Sequence, residues 1–171
     1  YSDSITAKVR VESKRDILLN GTAAYTVGAY TNGAFTISAI RNFTQTKGQF
    51  VGQLYPSNLS IDSLIVGNDF TFNSTTASDY FKGNRSAGNT FFRTIGNFNI
   101  INSGLASGQG VIGVDSSAGS LSFSVGGNLV QNGGSFSGIL NGSGAATFSI
   151  TGMVDVNAGS FKGHNNILYS N

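Results

Sequence analysis

Leu121-Ser-Phe-Ser-Val125 through Asn132-Gly-Gly-Ser-Phe-Ser-Gly138 is answered, without a gap, by Ala146-Thr-Phe-Ser-Ile150 through Asn157-Ala-Gly-Ser-Phe-Lys-Gly163. The offset is 25 residues, and Phe123/Phe148, Gly127/Gly152, Asn132/Asn157, Gly134/Gly159, Phe136/Phe161 and Gly138/Gly163 coincide. Each copy reads as strand, turn, strand, then Gly-x-Phe-x-Gly. A looser copy runs from Phe35-Thr-Ile37 to Gly48-Gln-Phe50-Val-Gly52. A period of this length fits one coil of a parallel β-helix, or a hairpin that recurs in an antiparallel sandwich. A β-helix wants consecutive copies, and residues 53–119 offer only the faint echo Gly96-Asn-Phe98 to Asn102-Ser-Gly104. Asn-Gly pairs at Asn20, Asn32, Asn132 and Asn141 favour type I′ hairpin turns. The expectation is an all-β, antiparallel β-sandwich of Ig-like or jelly-roll-like kind, with a parallel β-helix as the alternative.

The rest of the chain agrees with strands. Two-residue alternation recurs in Thr22–Thr26, Ala34–Ile40, Gln49–Leu54, Phe70–Asn73, Phe91–Ile95, Ser120–Val125, Ala146–Ile150 and Ile167–Tyr169. Asn32-Gly33 between Ala29-Tyr-Thr31 and Ala34-Phe-Thr-Ile37 is the best hairpin, and Pro56 marks a loop. Only Thr75–Lys82 has room for a helical turn or two.

Ile5, Ala7, Val9 and Val11 alternate strictly with Thr6, Lys8, Arg10 and Glu12, which gives an extended segment one apolar and one polar face. Seven of the eighteen charged residues lie in residues 1–16, and beyond Arg93 only Asp115, Asp155 and Lys162 are charged. Ile17 and Leu19 continue the parity. The division expected is a tail, 1–19, that donates a strand, and a sandwich head, 20–171. Burying Ile5, Val9 and Val11 in a preformed groove is worth roughly 1.5–3 kcal/mol each, with less for Ala7. The rival is an ordinary hairpin of Ile5–Val11 with Ile17–Leu19.

Composition excludes several functions. At 171 residues one domain is expected, and 11% charged residues with a net charge of +2 offer little to nucleic acid. Zero cysteines leave no disulfide framework. No run approaches a membrane span or the core of a signal peptide, and Met153 is the only methionine, so Tyr1 reads as a processed end. His164 is the only histidine and has no acidic neighbour in sequence, which argues against a catalytic triad and a multi-histidine metal site. Gly108-Gln-Gly-Val-Ile-Gly113 matches the dinucleotide fingerprint, but Val114-Asp-Ser-Ser-Ala-Gly119 will not open the helix that motif needs. Asp62, Asp69, Asp79, Asp115 and Asp155 are read as caps of turns and hairpin ends. No cofactor, metal or enzymatic activity is expected.

Six sequons, at Asn20, Asn42, Asn58, Asn73, Asn84 and Asn141, sit beside Gly, Pro or polar runs and read as N-glycan acceptors of a secreted chain. Asn42 continues a strand pattern and is the weakest of them.

These features together, a processed N-terminus, a strand-like tail, a cysteine-free Asn/Ser/Thr/Gly-rich β head and many sequons, resemble the thread subunits of archaeal surface filaments. The tail Ile5–Val11 also resembles the donor strand of chaperone–usher pilins. The resemblance implies an N-glycosylated subunit of a cell-surface filament, a homopolymer built by donor-strand complementation, with a role in adhesion and cell contact. The alternative expectation is a monomeric β-rich surface adhesin or ligand-binding domain.

Overall fold

Phe35, Ile37 and Ala39 alternate with Ala34, Thr36 and Ser38, and the strand they form buries the first set while leaving the second half exposed. The same alternation repeats coil after coil. The structure is a computed structural model that describes residues 8–21, 34–53, 61–74, 79–84, 88–101, 110–117 and 119–164. The first coil holds β1 (Lys8–Ser13) and β2 (Ile17–Asn20), and the second holds β3 (Ala34–Ala39), β4 (Phe43–Lys47) and β5 (Gln49–Gln53). β6 (Ile61–Val66), β7 (Phe70–Phe72) and β8 (Tyr80–Asn84) form the third. The fourth comprises β9 (Asn89–Thr94), β10 (Phe98–Ile100) and β11 (Gly110–Ser117). β12 (Leu121–Val125) with β13 (Leu129–Gly142), and β14 (Ala146–Ile150) with β15 (Val154–His164), complete the fifth and sixth.

Every strand pairs in parallel with its counterpart one coil away. The result is a β-solenoid with three walls. Wall A is β1-β3-β6-β9-β12-β14. Wall B is β2, β4, β7, β10 and the first part of β13, and wall C is β5, β8, β11 and the rest of β13; β15 runs along both parts of β13. The antiparallel sandwich is therefore wrong and the parallel β-helix alternative holds. The Asn-Gly pairs were the misleading signal. Asn132-Gly133 lies inside β13, where the chain rounds a solenoid corner, and Asn141-Gly142 ends β13. Asn32-Gly33 falls outside the described residues, but β3 after it pairs in parallel with β1 and β6. Part of the presumed helical segment, Tyr80–Lys82, is strand; residues 75–78 lie outside the described ones.

Copies are present through the middle, but their spacing drifts. The corner between walls A and B is a three-residue bend whose last residue is Asp16, Asn42, Asp69, Asn97, Asn128 and finally Met153. Each of the first five offers its side-chain Oδ1 to the backbone N–H at the same place one coil on: Asn42 to Asp16 at 3.1 Å, Asp69 to Asn42 at 3.3 Å, Asn97 to Asp69 at 2.7 Å, Asn128 to Asn97 at 2.9 Å and Met153 to Asn128 at 2.9 Å. The steps are 26, 27, 28, 31 and 25 residues. A bend has backbone donors that no ladder satisfies, and this column of short polar side chains supplies the missing acceptors.

In-register parallel stacking sets like over like at roughly 4.8 Å. Phe43, Phe70 and Phe98, each just after the corner, stack at 5.3 and 4.4 Å with ring planes 10° and 13° apart. Phe50 and Phe81 stack on wall C at 4.6 Å, and Phe136 and Phe161 at 4.7 Å. Edge-to-face contacts such as Phe98–Phe123, 4.8 Å and 74°, tie wall B to wall A. Such pairs add about 0.5–1.5 kcal/mol each beyond burial. The recurring Gly-x-Phe-x-Gly now has a cause at both ends. Gly48 and Gly159 turn the corner from wall B to wall C at φ 88°, a conformation costly for other residues. The second glycine faces the core where walls A and C converge: a Cβ on Gly138 would clash with Gly163 O and sit 2.9 Å from Phe148 Cζ. At two corners a buried glutamine closes the turn. Gln45 Nε2 donates to Gly48 O and Tyr80 O at 2.7 and 3.0 Å, and Gln131 Nε2 to Gly134 O and Ser160 O at 3.1 Å each.

Candidate binding face

Wall A turns one residue in two outward, and because the strands are in register these residues form straight rows. One row is Arg10, Thr36, Ser63, Phe91, Ser122 and Thr147; the next is Glu12, Ser38, Ile65, Arg93, Ser124 and Ser149. Hydroxyls fill most of this grid. Against them Ile61, Ile65 and Phe91 stand 44%, 41% and 43% exposed. Phe91 pairs with Ser63, so its ring lies diagonal to both isoleucines, within reach across the strands. Arg93 pairs with Ile65 and makes no ion pair among the described residues. An aromatic, two branched aliphatics and a free guanidinium on a regular hydroxyl grid provide an apolar anchor, an anion contact and donors at fixed spacing. Aromatic and arginine side chains are the types that most often dominate binding energy.

The charged residues of the first coil are a solvated cluster. Glu12 takes Lys14 at 2.8 Å and Arg10 at 3.0 Å, which lowers its pKa, the Lys14 hydrogen bond most. Asp16 is held low chiefly by the Asn42 backbone N–H. Of the expected strand anchors, Ile5 and Ala7 lie outside the described residues. Val9 is half-buried against the core beside Phe35, and Val11, opposite Ile37, is 42% exposed. β1 and β2 do not form the hairpin of the rival reading; they occupy different walls of one coil. The described residues form a solenoid rather than the sandwich whose groove was expected to receive a donated strand.

Sequons divide by environment. Asn20, Asn73 and Asn141 are exposed, while Asn84 is fully buried. Asn42 is engaged from both sides, its Nδ2 on Asp16 Oδ1 and its Oδ1 accepting from Asn68 Nδ2. Asn58 lies outside the described residues.

The aspartates do not converge. Asp69 belongs to the corner column, and Asp79 accepts from the Ser74 hydroxyl. Asp115 pairs with Lys82 at 2.6 Å, both side chains mostly covered, with the ammonium 4.5 Å from the Tyr80 ring. Asp155 meets Asn157 on the last strand. His164 ends β15, and Gly110–Gly113 is part of β11 rather than a turn opening a helix. Among the described residues no group of acidic, histidine or cysteine side chains could hold a metal ion. Sequence reasoning missed Asp62, which points into the core; its parity with Leu64 and Val66 in Ile61-Asp-Ser-Leu-Ile-Val66 was the available signal. It missed the exposed trio on wall A as well, because alternation alone does not say which face is solvated.

No protein family, curated protein or solved structure matches this chain.

Proposed function

We propose that the chain is a non-enzymatic surface adhesin or ligand-binding module, working outside the cell, that holds an extended ligand along wall A. The observation that carries this reading is the exposed Ile61–Ile65–Phe91 triangle beside Arg93, which has no ion pair among the described residues, on a grid of serine and threonine. Large apolar side chains on an otherwise hydroxyl-rich sheet have no folding role to explain them, and they are the kind of feature that marks an interaction site. The test is binding of the labelled chain to intact cells and to a panel of purified polysaccharides, repeated with Phe91→Ser/Ile65→Ser. The double variant should lose at least tenfold in affinity with its far-ultraviolet spectrum unchanged. Undiminished binding by that variant, or no binding to any surface, would overturn the reading.

A second reading, end-to-end assembly into a filament, is favoured by one observation. Among the described residues β1 and β14 each pair on one edge only, and Met153, Val154 and Val156 of the last coil are 59%, 51% and 43% exposed. Free parallel edges invite strand addition, and head-to-tail stacking does not close. Sedimentation of the purified chain across a concentration series distinguishes the two: a single monomeric species throughout removes the filament.

A further inference from the structure

We propose that Asp62 is carried inside the solenoid as a neutral acid, which makes the fold acid-favoured: it is firmest in an acidic medium and loosens as the medium turns alkaline. Asp62 lies in wall A between Phe35 and Thr90, at a position that points inward, and it is 2% exposed. Among the described residues neither carboxyl oxygen has a hydrogen-bond partner, nor does the buried Thr90 hydroxyl next to it. Phe35, Phe50, Phe81, Phe92, Ile37 and Leu64 line the space beside it together with Gly52 and Gly83, and a Cβ on Gly52 would lie 3.4 Å from the Asp62 carboxyl carbon. The cavity there is about 10 Å³. That is no more than the room for one water molecule, too little to hydrate a carboxylate.

Among the described residues no cation offsets the charge. Of the elements packed around it, β3, β5 and the rest of β6 carry no charged side chain. On β8, Lys82 and Tyr80 face outward, with Lys82 held by Asp115. On β9, Arg93 is on the outer face of the wall. A carboxylate buried this way is unfavourable, so the proton stays on. Burial pushes its pKa up to about 8.

The sign follows from linkage. An unfolded aspartate titrates near 4. Between there and about 8 the folded state holds a proton that the unfolded state has lost. The contribution of Asp62 is therefore most favourable below the unfolded pKa. It weakens as pH rises through the window, the unfolding constant growing about tenfold per pH unit, and levels off above the folded pKa.

The experiment is urea unfolding of the full chain from pH 5 to pH 8, with Asp62→Asn alongside. The slope is read as the difference between the two proteins, so that contributions common to both cancel. The wild type should lose stability steadily relative to Asp62→Asn, by about a hundredfold or more in unfolding constant over three pH units. Parallel curves would overturn the proposal. Should Asp62→Asn not fold, infrared spectra of the wild type at pH 7 decide: a protonated-carboxyl stretch supports the proposal and its absence overturns it.

Discussion

Asn42 stands between two carboxylates. In the corner column the order is Asp16, Asn42, Asp69, Asn97, Asn128, so each aspartate is separated from the other by an amide that accepts as well and carries no charge. Asn42→Asp would set three carboxylates in succession at the spacing of adjacent strands. It keeps the acceptor for Asp69 N–H but replaces the amide donor to Asp16. Like charges opposite one another are destabilising, and the expected loss is about 1 kcal/mol at pH 7. The deficit should shrink near pH 4, where carboxylates gain protons. Urea unfolding at the two pH values checks it; an equal loss at both would mean that the lost amide donor, not the charge, matters. Such a column is legible in principle as bend-Asn/Asp-apolar: Arg15-Asp-Ile17, Arg41-Asn-Phe43, Asn68-Asp-Phe70, Gly96-Asn-Phe98 and Gly127-Asn-Leu129. It was hidden because asparagine is abundant throughout the chain and equally suits hairpin turns and sequons. The glycan expectation also resolves by residue. Mass spectrometry of native material should find sugar on Asn20, Asn73 and Asn141 and none on Asn84, whose side chain the folded protein buries, or on Asn42, whose amide is engaged on both sides.

Within the described residues the segments of two-residue alternation are strands, though not with the partners expected; Thr22–Thr26 and Ile167–Tyr169 lie outside the described residues. Alternation places Phe35, Phe50, Phe123, Phe136, Phe148 and Phe161 inward from sequence alone; the first four are buried, and Phe148 and Phe161 of the last coil are half-buried against the core. Alternation is the same for parallel and antiparallel pairing, so it carries no information on direction. β13 shows the difficulty: one strand rounds a corner at Gly133-Gly134 and serves two walls, which in sequence looks like a strand, a turn and a returning strand. Parity does make a prediction for β1. Val9→Asp puts a charge on the core side, next to Phe35, and should cost several kcal/mol unless it escapes to water. Lys8→Asp, on the outer side, should stay within about 0.5 kcal/mol. Thermal unfolding of both is the measurement, and equal damage would contradict the inward placement of Val9.

The whole molecule is a stack in which each coil touches only the coils beside it. Stability in such a stack is a sum of coil and interface terms, so opening begins at the ends. Hydrogen exchange should grade along the axis, slowest in β7 and β10, whose neighbours on both sides are stacked phenylalanines or leucine, and faster in β1 and β14. Uniform exchange across all six coils would indicate a single cooperative unit instead. At this scale the sequence hid the fold for a geometric reason. Steps of 26 to 31 residues leave the walls in register, because the extra length falls between strands, but they blur any fixed period. Only the last step, from the fifth coil to the sixth, is free of insertions and so reads as a repeat. That ungapped step has a bearing on ancestry. A chain that stacks like on like can be lengthened by copying one segment: a second Leu121–Ala145, spliced after Ala145, would lay its phenylalanines over those already there and add one strand spacing, about 4.8 Å, to the axis. Duplication of a short stretch of coding sequence is then tolerated rather than disruptive, and the number of coils becomes a heritable quantity, free to change in whole units.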